Sequence, residues 1–162
     1  MTKLNMDKLL QKGLEQVKSA GITPGNINPK VIINSRAKNR FGVCRRTMGK
    51  YDFEIEMNSK LLEAKEEKAM NTMVHEILHS CKDCMNHGKT WKAYANIMNT
   101  KFGYDIARTT SHEKLGIETP VAKYTIECQK CHSKINRQKK SNLVTHTHHY
   151  KCGKCGGKLI LK

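Results

Sequence analysis

The sequence predicts an α+β fold: a small antiparallel three-stranded sheet packed with helices, followed by a separate small β module gathered by cysteines. Three observations carry this. Short strand-like runs lie between residues 31 and 57. Two longer segments with helical apolar spacing follow them, and the last part of the chain holds two C-x-x-C pairs twenty residues apart. A length of 162 residues suits one compact domain plus a module, with residues 1–120 and 121–162 as the expected division at Pro120.

Taken in order, residues 4–20 place Leu4, Leu9, Leu10, Leu14 and Val17 on one helical stripe, with Gly21 as a stop and Pro24 barring continuation. The strand candidates are Val31-Ile32-Ile33, Phe41-Gly42-Val43-Cys44 and Tyr51 to Met57. The last alternates apolar and polar residues, as a half-buried strand does, and Met48-Gly49-Lys50 suits a hairpin turn. Residues 59–80 form a second helix with its lead-in. Ala69, Met70, Met73, Val74, Ile77 and Leu78 are its buried stripe, and Glu63, Glu66 and Glu67 favour its positive N-terminal end. Thr90 reads as the N-cap of a third helix, striped by Trp91, Tyr94, Ala95, Met98 and Phe102 and ended by Gly103. Residues 104–120 have weak periodicity and read as a connector laid over the first domain.

Composition narrows the class. No run of eighteen apolar residues exists to span a membrane, and the N-terminus lacks an apolar signal region. Seven cysteines, four of them at metal-ligand spacing, point to a reducing compartment and thiolate–metal chemistry rather than disulfides. Cytoplasmic location is the expectation, nucleoid-associated or, in a eukaryotic or viral setting, nuclear. A formal charge of +16 calls for a polyanionic partner, nucleic acid above all.

The chemistry concentrates at His75-Glu76-Ile77-Leu78-His79. On a helix, residues four apart share a face, so both imidazoles can bind one Zn²⁺ at about 2.0–2.1 Å. Glu76, beside the first ligand, is placed to act on a water as general base. A hydrolytic zinc needs a third protein ligand and an open position. His87, eight residues past His79 and followed by Gly88, is the nearest candidate, ahead of His112, His132, His146, His148 and His149. A turn through Asp83, Asn86 and Gly88 would bring it back over the metal. Cys81 and Cys84 form a C-x-x-C directly after the motif and read as partly buried thiols, with a redox role as the alternative.

His75-Glu76-x-x-His79 followed by His87-Gly88-x-x-Trp91 resembles the active site of the SprT-like (Spartan-type) zinc metalloproteases. Arg40-Phe41-Gly42-Val43-Cys44 is similar to the R-aromatic-G-x-C strand of that family. The metzincin pattern is excluded, because no glycine stands three residues after His79. The resemblance implies a zincin-like domain, with the Arg40–Cys44 strand beside the metal and a free edge able to pair with substrate. It implies protein substrates held on DNA, including DNA–protein crosslinks. It also implies a C-terminal zinc ribbon, for which Tyr124 near Cys128 and Tyr150-Lys151-Cys152-Gly153-Lys154-Cys155-Gly156 are the matching segments. His112 falls in a histidine–acid stretch of the kind the family carries after its active-site helices.

Cys128, Cys131, Cys152 and Cys155 have the spacing of a structural zinc site, each C-x-x-C on a tight knuckle, with Gly153, Gly156 and Gly157 suiting the second. His132 or His149 replacing a cysteine is the alternative. Val121–Glu127, Ile135–Gln138 and Lys158–Leu161 read as its strands. This module carries ten Lys or Arg and one Glu. Lys134, Arg137, Lys139 and Lys140 are expected to form a ridge that contacts phosphates, and Tyr150, with His146, His148 and His149, to stack on unpaired bases. The reading is a zinc endopeptidase with one catalytic and one structural zinc, acting on proteins and binding DNA without sequence preference. The alternatives are a non-enzymatic nucleic-acid-binding ribbon protein with a structural or vestigial H-E-x-x-H zinc, and a transcription-linked regulator.

Overall fold

A computed structural model describes residues 2–162. The chain divides into two compact units, Met1–Thr119 and Pro120–Lys162. In the first unit α1 spans Met6–Ser19, and its start is capped by the Asn5 side chain, which accepts from the Lys8 N–H. Its buried face carries Leu9, Leu10, Gly13 and Val17. The strands are β1 (Ile32–Asn34), β2 (Gly42–Arg46) and β3 (Phe53–Asn58), in the order β1-β3-β2.

The α+β class holds, but the sheet is mixed rather than antiparallel. β2 and β3 form an antiparallel hairpin, whereas β1 runs parallel to β3, with Ile32 opposite Glu56 and Asn34 opposite Asn58. The cause is the connection 35–41, which carries the chain across β3 to its far edge. β2 is thereby left as an edge strand.

A 3-10 turn, Ser59–Glu63, precedes α2 (Glu66–His79), so Glu63 lies before the helix while Glu66 and Glu67 occupy its first turn. The six predicted stripe residues of α2 are all buried, packed on α1 and the inner face of the sheet. α3 (Lys89–Phe102) starts earlier than expected. Gly88 occupies the cap position, and Thr90 makes no capping bond. The Asn86 side chain instead accepts from the Gly88 N–H at 3.0 Å. Gly103, at φ 71°, ends α3 in the left-handed region that glycine tolerates.

The connector follows, with a short α4 (His112–Leu115), and two asparagines fix its start. Asn71 donates to the Asp105 carbonyl and accepts from the Asp105 N–H, both at 2.9 Å. Asn99 does the same with Ile106 at 3.0 and 2.8 Å. These bonds replace the backbone partners that an irregular segment lacks.

The second unit is a sheet of β4 (Tyr124–Cys128), β5 (Lys134–Arg137) and β6 (Leu159–Leu161), ordered β5-β4-β6 with both pairings antiparallel. A short α5 (Asn142–Thr145) and a 3-10 turn Thr147–His149 fill the span between β5 and the second cysteine pair. Its small core is Ile126, Val144 and Leu159 with Cys128 and Cys152. No described helix is long and apolar enough to cross a membrane.

Candidate active site and metal centres

The C-terminal half of α2 presents His75 and His79 one turn apart, and the turn 80–88 returns His87 to meet them. The three Nε2 atoms lie 3.2, 3.2 and 3.1 Å from one another. The tautomer of His79 is constrained from behind. Its Nδ1 stands 2.7 Å from the Cys84 carbonyl, which can only accept, so a neutral His79 carries its proton there and leaves Nε2 bare. The Ala107 backbone favours the protonated form of the His75 ring, but burial outweighs it. Bare nitrogen lone pairs facing each other at this distance repel unless a cation lies between them. Tetrahedral ligation at about 2.0–2.1 Å puts ligand nitrogens about 3.3–3.4 Å apart, close to the separations here. The donor set therefore fits a metal ion.

Electrostatics agree. Burial, with the neighbouring His79 and His87, pushes His75 down to about 3. Burial lowers His79, and burial with the charges of His79, Arg108 and Lys92 lowers His87. All three rings are thus neutral near pH 7, the form that binds metal. Beneath them lies Trp91, 2 % exposed. Its ring stacks on His79 at 5.5 Å and meets His75 and His87 edge-on at 4.7 and 4.5 Å. The stripe residue read as core is also the floor of the histidine cluster.

Glu76 points to the sheet side of α2 and is buried. Burial pushes its carboxyl up to about 8, against the Cys44 backbone N–H and the charge of Arg40, which both favour the ionised form. A dication held by the adjacent histidines would return it toward the carboxylate. β2 lies directly against it, with Gly42 at closest approach. A cavity of about 220 Å³ opens here between Arg40–Gly42, the Asn71–Glu76 stretch of α2 and residues 105–110 of the connector. Cys44, Cys81 and Cys84 are buried thiols outside the histidine cluster, and burial raises all three. His112 does not line the cavity. It packs edge-on against Phe41 at 4.7 Å, with Nε2 3.0 Å from the Lys38 carbonyl.

Over residues 10–112 the chain matches the model of the SprT-like family. It is a member of the SprT-like family. The family is of metalloprotease type, and the match covers both the H-E-x-x-H helix and His87. A search of curated proteins finds no match.

The second unit of this SprT-like chain brings the four predicted cysteines together, their sulfurs all within 4.8 Å of one another. Cys128 and Cys155 Sγ are 3.5 Å apart, Cys131 and Cys152 Sγ 3.6 Å. Tetrahedral thiolates at about 2.3 Å from zinc would be about 3.75 Å apart, so this set also fits a metal. The Lys130 N–H donates to Cys128 Sγ, as a knuckle requires. Backbone N–H groups of Cys131 and Lys130 lower Cys128, and the Ser133 hydroxyl and N–H pull Cys131 down to about 6. Gly157 is packed so closely that a Cβ would lie 2.8 Å from Cys128 Sγ. His132 and His149 stay outside this cluster. His132 pairs with Glu127 at 3.0 Å, and the His149 ring packs on those of His146 and His148.

The basic residues do not form the single ridge expected. Lys134 and Arg137 lie three apart on β5, and strand alternation turns them to opposite faces. Lys139 and Lys140 follow in the exposed turn, and Tyr150 is 40 % exposed beside the three histidine rings. The Cys84 carbonyl and the connector wall were not assigned a role at the site from sequence, whereas Gly42 lies in the Arg40–Cys44 strand that the resemblance placed beside the metal. Only the glycine, in a strand otherwise rich in large residues, offered a signal.

Proposed function

We propose that the chain is a zinc-dependent endopeptidase whose substrates are proteins held on DNA, including DNA–protein crosslinks. The observation that carries the hydrolytic reading is Glu76, a buried carboxyl held at the mouth of a cavity beside three converging histidines. A purely structural metal has no use for it. His75, His79 and His87 would hold the zinc, which when bound supplies a Lewis acid that polarises the scissile carbonyl and lowers the pKa of water. Glu76 takes the proton of the attacking water and passes it to the leaving amine. The Cys84 carbonyl keeps the His79 ring in the ligating tautomer. Among the described residues the outer edge of β2 has no strand partner, so an extended substrate can add there by backbone pairing. The cavity beside it takes one substrate side chain, with the connector as its far wall.

The nucleic-acid half of the proposal rests on charge. The second unit, with a structural zinc held by Cys128, Cys131, Cys152 and Cys155, is strongly basic even after four thiolates are counted. Lys134, Arg137, Lys139 and Lys140 contact phosphates in this reading, and Tyr150 stacks on a base. Such contacts are largely sequence-blind. In a reducing cytoplasm both thiolate and histidine sites stay loaded.

The test is cleavage of a basic protein, and self-cleavage, by wild type and Glu76→Gln, each with and without single-stranded DNA and a chelator. Cleavage by wild type alone, increased by DNA and lost to the chelator, is the expected result. Cleavage indifferent to DNA keeps the peptidase and discards the DNA-held substrate. DNA binding by both proteins with no cleavage by either overturns the peptidase in favour of a nucleic-acid-binding ribbon protein.

A further inference from the structure

We propose that Gly42 is a positioning residue for Glu76: β2 withholds a side chain at this one place, and the carboxyl of the general base occupies the space. The functional meaning rests on the peptidase reading above, while the geometry stands without it. A Cβ at Gly42 would lie 2.7 Å from Glu76 Oε1, 2.8 Å from its Cγ and 3.0 Å from its Cδ. Carbon contacts settle at about 3.5–4.0 Å, so any side chain here displaces the carboxyl or the strand.

The backbone at this position does not ask for glycine. Gly42 is absent from the residues with positive φ, so no backbone conformation requires it. It pairs in regular antiparallel register opposite Met57, and a glycine inside a strand weakens that strand. Alternation turns Gly42 and Cys44 to the same face of β2, the face against α2. That face therefore offers no side chain and then a small one, a trough along the strand. Glu76 fills it: its Oε1, Cγ and Cδ are the three heavy atoms nearest a Cβ at position 42. The carboxyl is fixed from two sides, by its own helix and by the strand, without a second side chain in contact with the reacting groups.

The experiment is a double-substitution cycle in the full chain: wild type, Gly42→Ala, Glu76→Ala and both together. Thermal midpoints are read by the fluorescence of Trp91, the only tryptophan. Gly42→Ala is expected to lower the midpoint in the wild-type background and to leave it unchanged where Glu76 is already truncated. If Gly42→Ala alone does not fold but the double variant does, the inference stands. An equal loss in both backgrounds, or failure of both to fold, overturns it. Metal titration of Gly42→Ala should match wild type, since the atoms nearest a Cβ there belong to Glu76 and not to a histidine. Its kcat should fall on the order of 10²-fold, as for a reacting group displaced by about 1 Å, with KM within a factor of about two. An unchanged kcat overturns the positioning role. A wild type that cleaves nothing overturns the peptidase reading alone, because the midpoint cycle still decides the contact.

Discussion

A single methyl group at Gly13 probes how firmly α1 holds the metal helix. Gly13 is buried at the contact of α1 with α2. A Cβ there would stand 2.6 Å from Ile77 Cδ1, about 1 Å inside the usual carbon–carbon separation. Val74 Cγ2 at 3.6 Å and Met70 Cε at 3.8 Å are ordinary contacts. Two effects compete in Gly13→Ala. Helix propensity favours alanine by about 1 kcal/mol. Overpacking against the fully buried Ile77 costs about 1–3 kcal/mol. The net expectation is a loss of about 0–2 kcal/mol. Ile77→Val removes the offending Cδ1 at a cost of about 0.5–1.5 kcal/mol. In that background Gly13→Ala should become stabilising by about 1 kcal/mol. The coupling between the two substitutions is then about 1–3 kcal/mol. Urea unfolding followed by Trp91 fluorescence reads the first unit, where the tryptophan lies. Equal effects of Gly13→Ala in both backgrounds would refute the reasoning.

Three further outcomes follow from the same geometry. Burial alone would raise Glu56, but hydrogen bonds from Asn34 and Arg40 and the charges of Arg45 and Arg40 outweigh it and hold the carboxyl below its ordinary value of 4.5. Its contribution is therefore complete above that value and lost as pH falls through the lower folded-state value. Glu56→Gln should cost about 1–3 kcal/mol at neutral pH and flatten the acid limb of a pH-dependent denaturation series. Removing metal with a chelator should lower the Trp91-detected midpoint, by the equivalent of about 2.7 kcal/mol where free metal had been 100-fold above Kd. His87→Ala should show a much smaller chelator effect. Gly157→Ala would press a methyl on the sulfurs of Cys128 and Cys155, at 2.8 and 3.2 Å. Zinc release to a chromogenic chelator should become about tenfold faster or more, with the first unit's unfolding unchanged.

What the sequence made legible is what repeats at a fixed period or spacing. The stripe of α2, the pairing of His75 with His79 and the two cysteine knuckles each follow from local geometry. The return of His87 was legible because the turn is short. Strand direction was not, since the short apolar run Val31-Ile32-Ile33 reads the same whether its neighbour is parallel or antiparallel. The start of α3 was missed because an Asn86 side-chain bond to Gly88 replaced the expected Thr90 cap. Lys134 and Arg137 were grouped by nearness in sequence, and strand alternation separates them. The connector itself was legible from its weak periodicity, but its anchorage was not, because asparagine side chains rather than a hydropathy pattern hold it.

Those asparagines make the connector a replaceable part. Asn71 and Asn99 grip Asp105 and Ile106 through backbone atoms alone, which every residue but proline supplies. Side chains at 108–110, at the cavity wall, are exposed and carry no part of either clamp. A lineage, or an engineer, can rewrite those three positions and recut the cleft while the metal helix, its tautomers and its general base stay as they are.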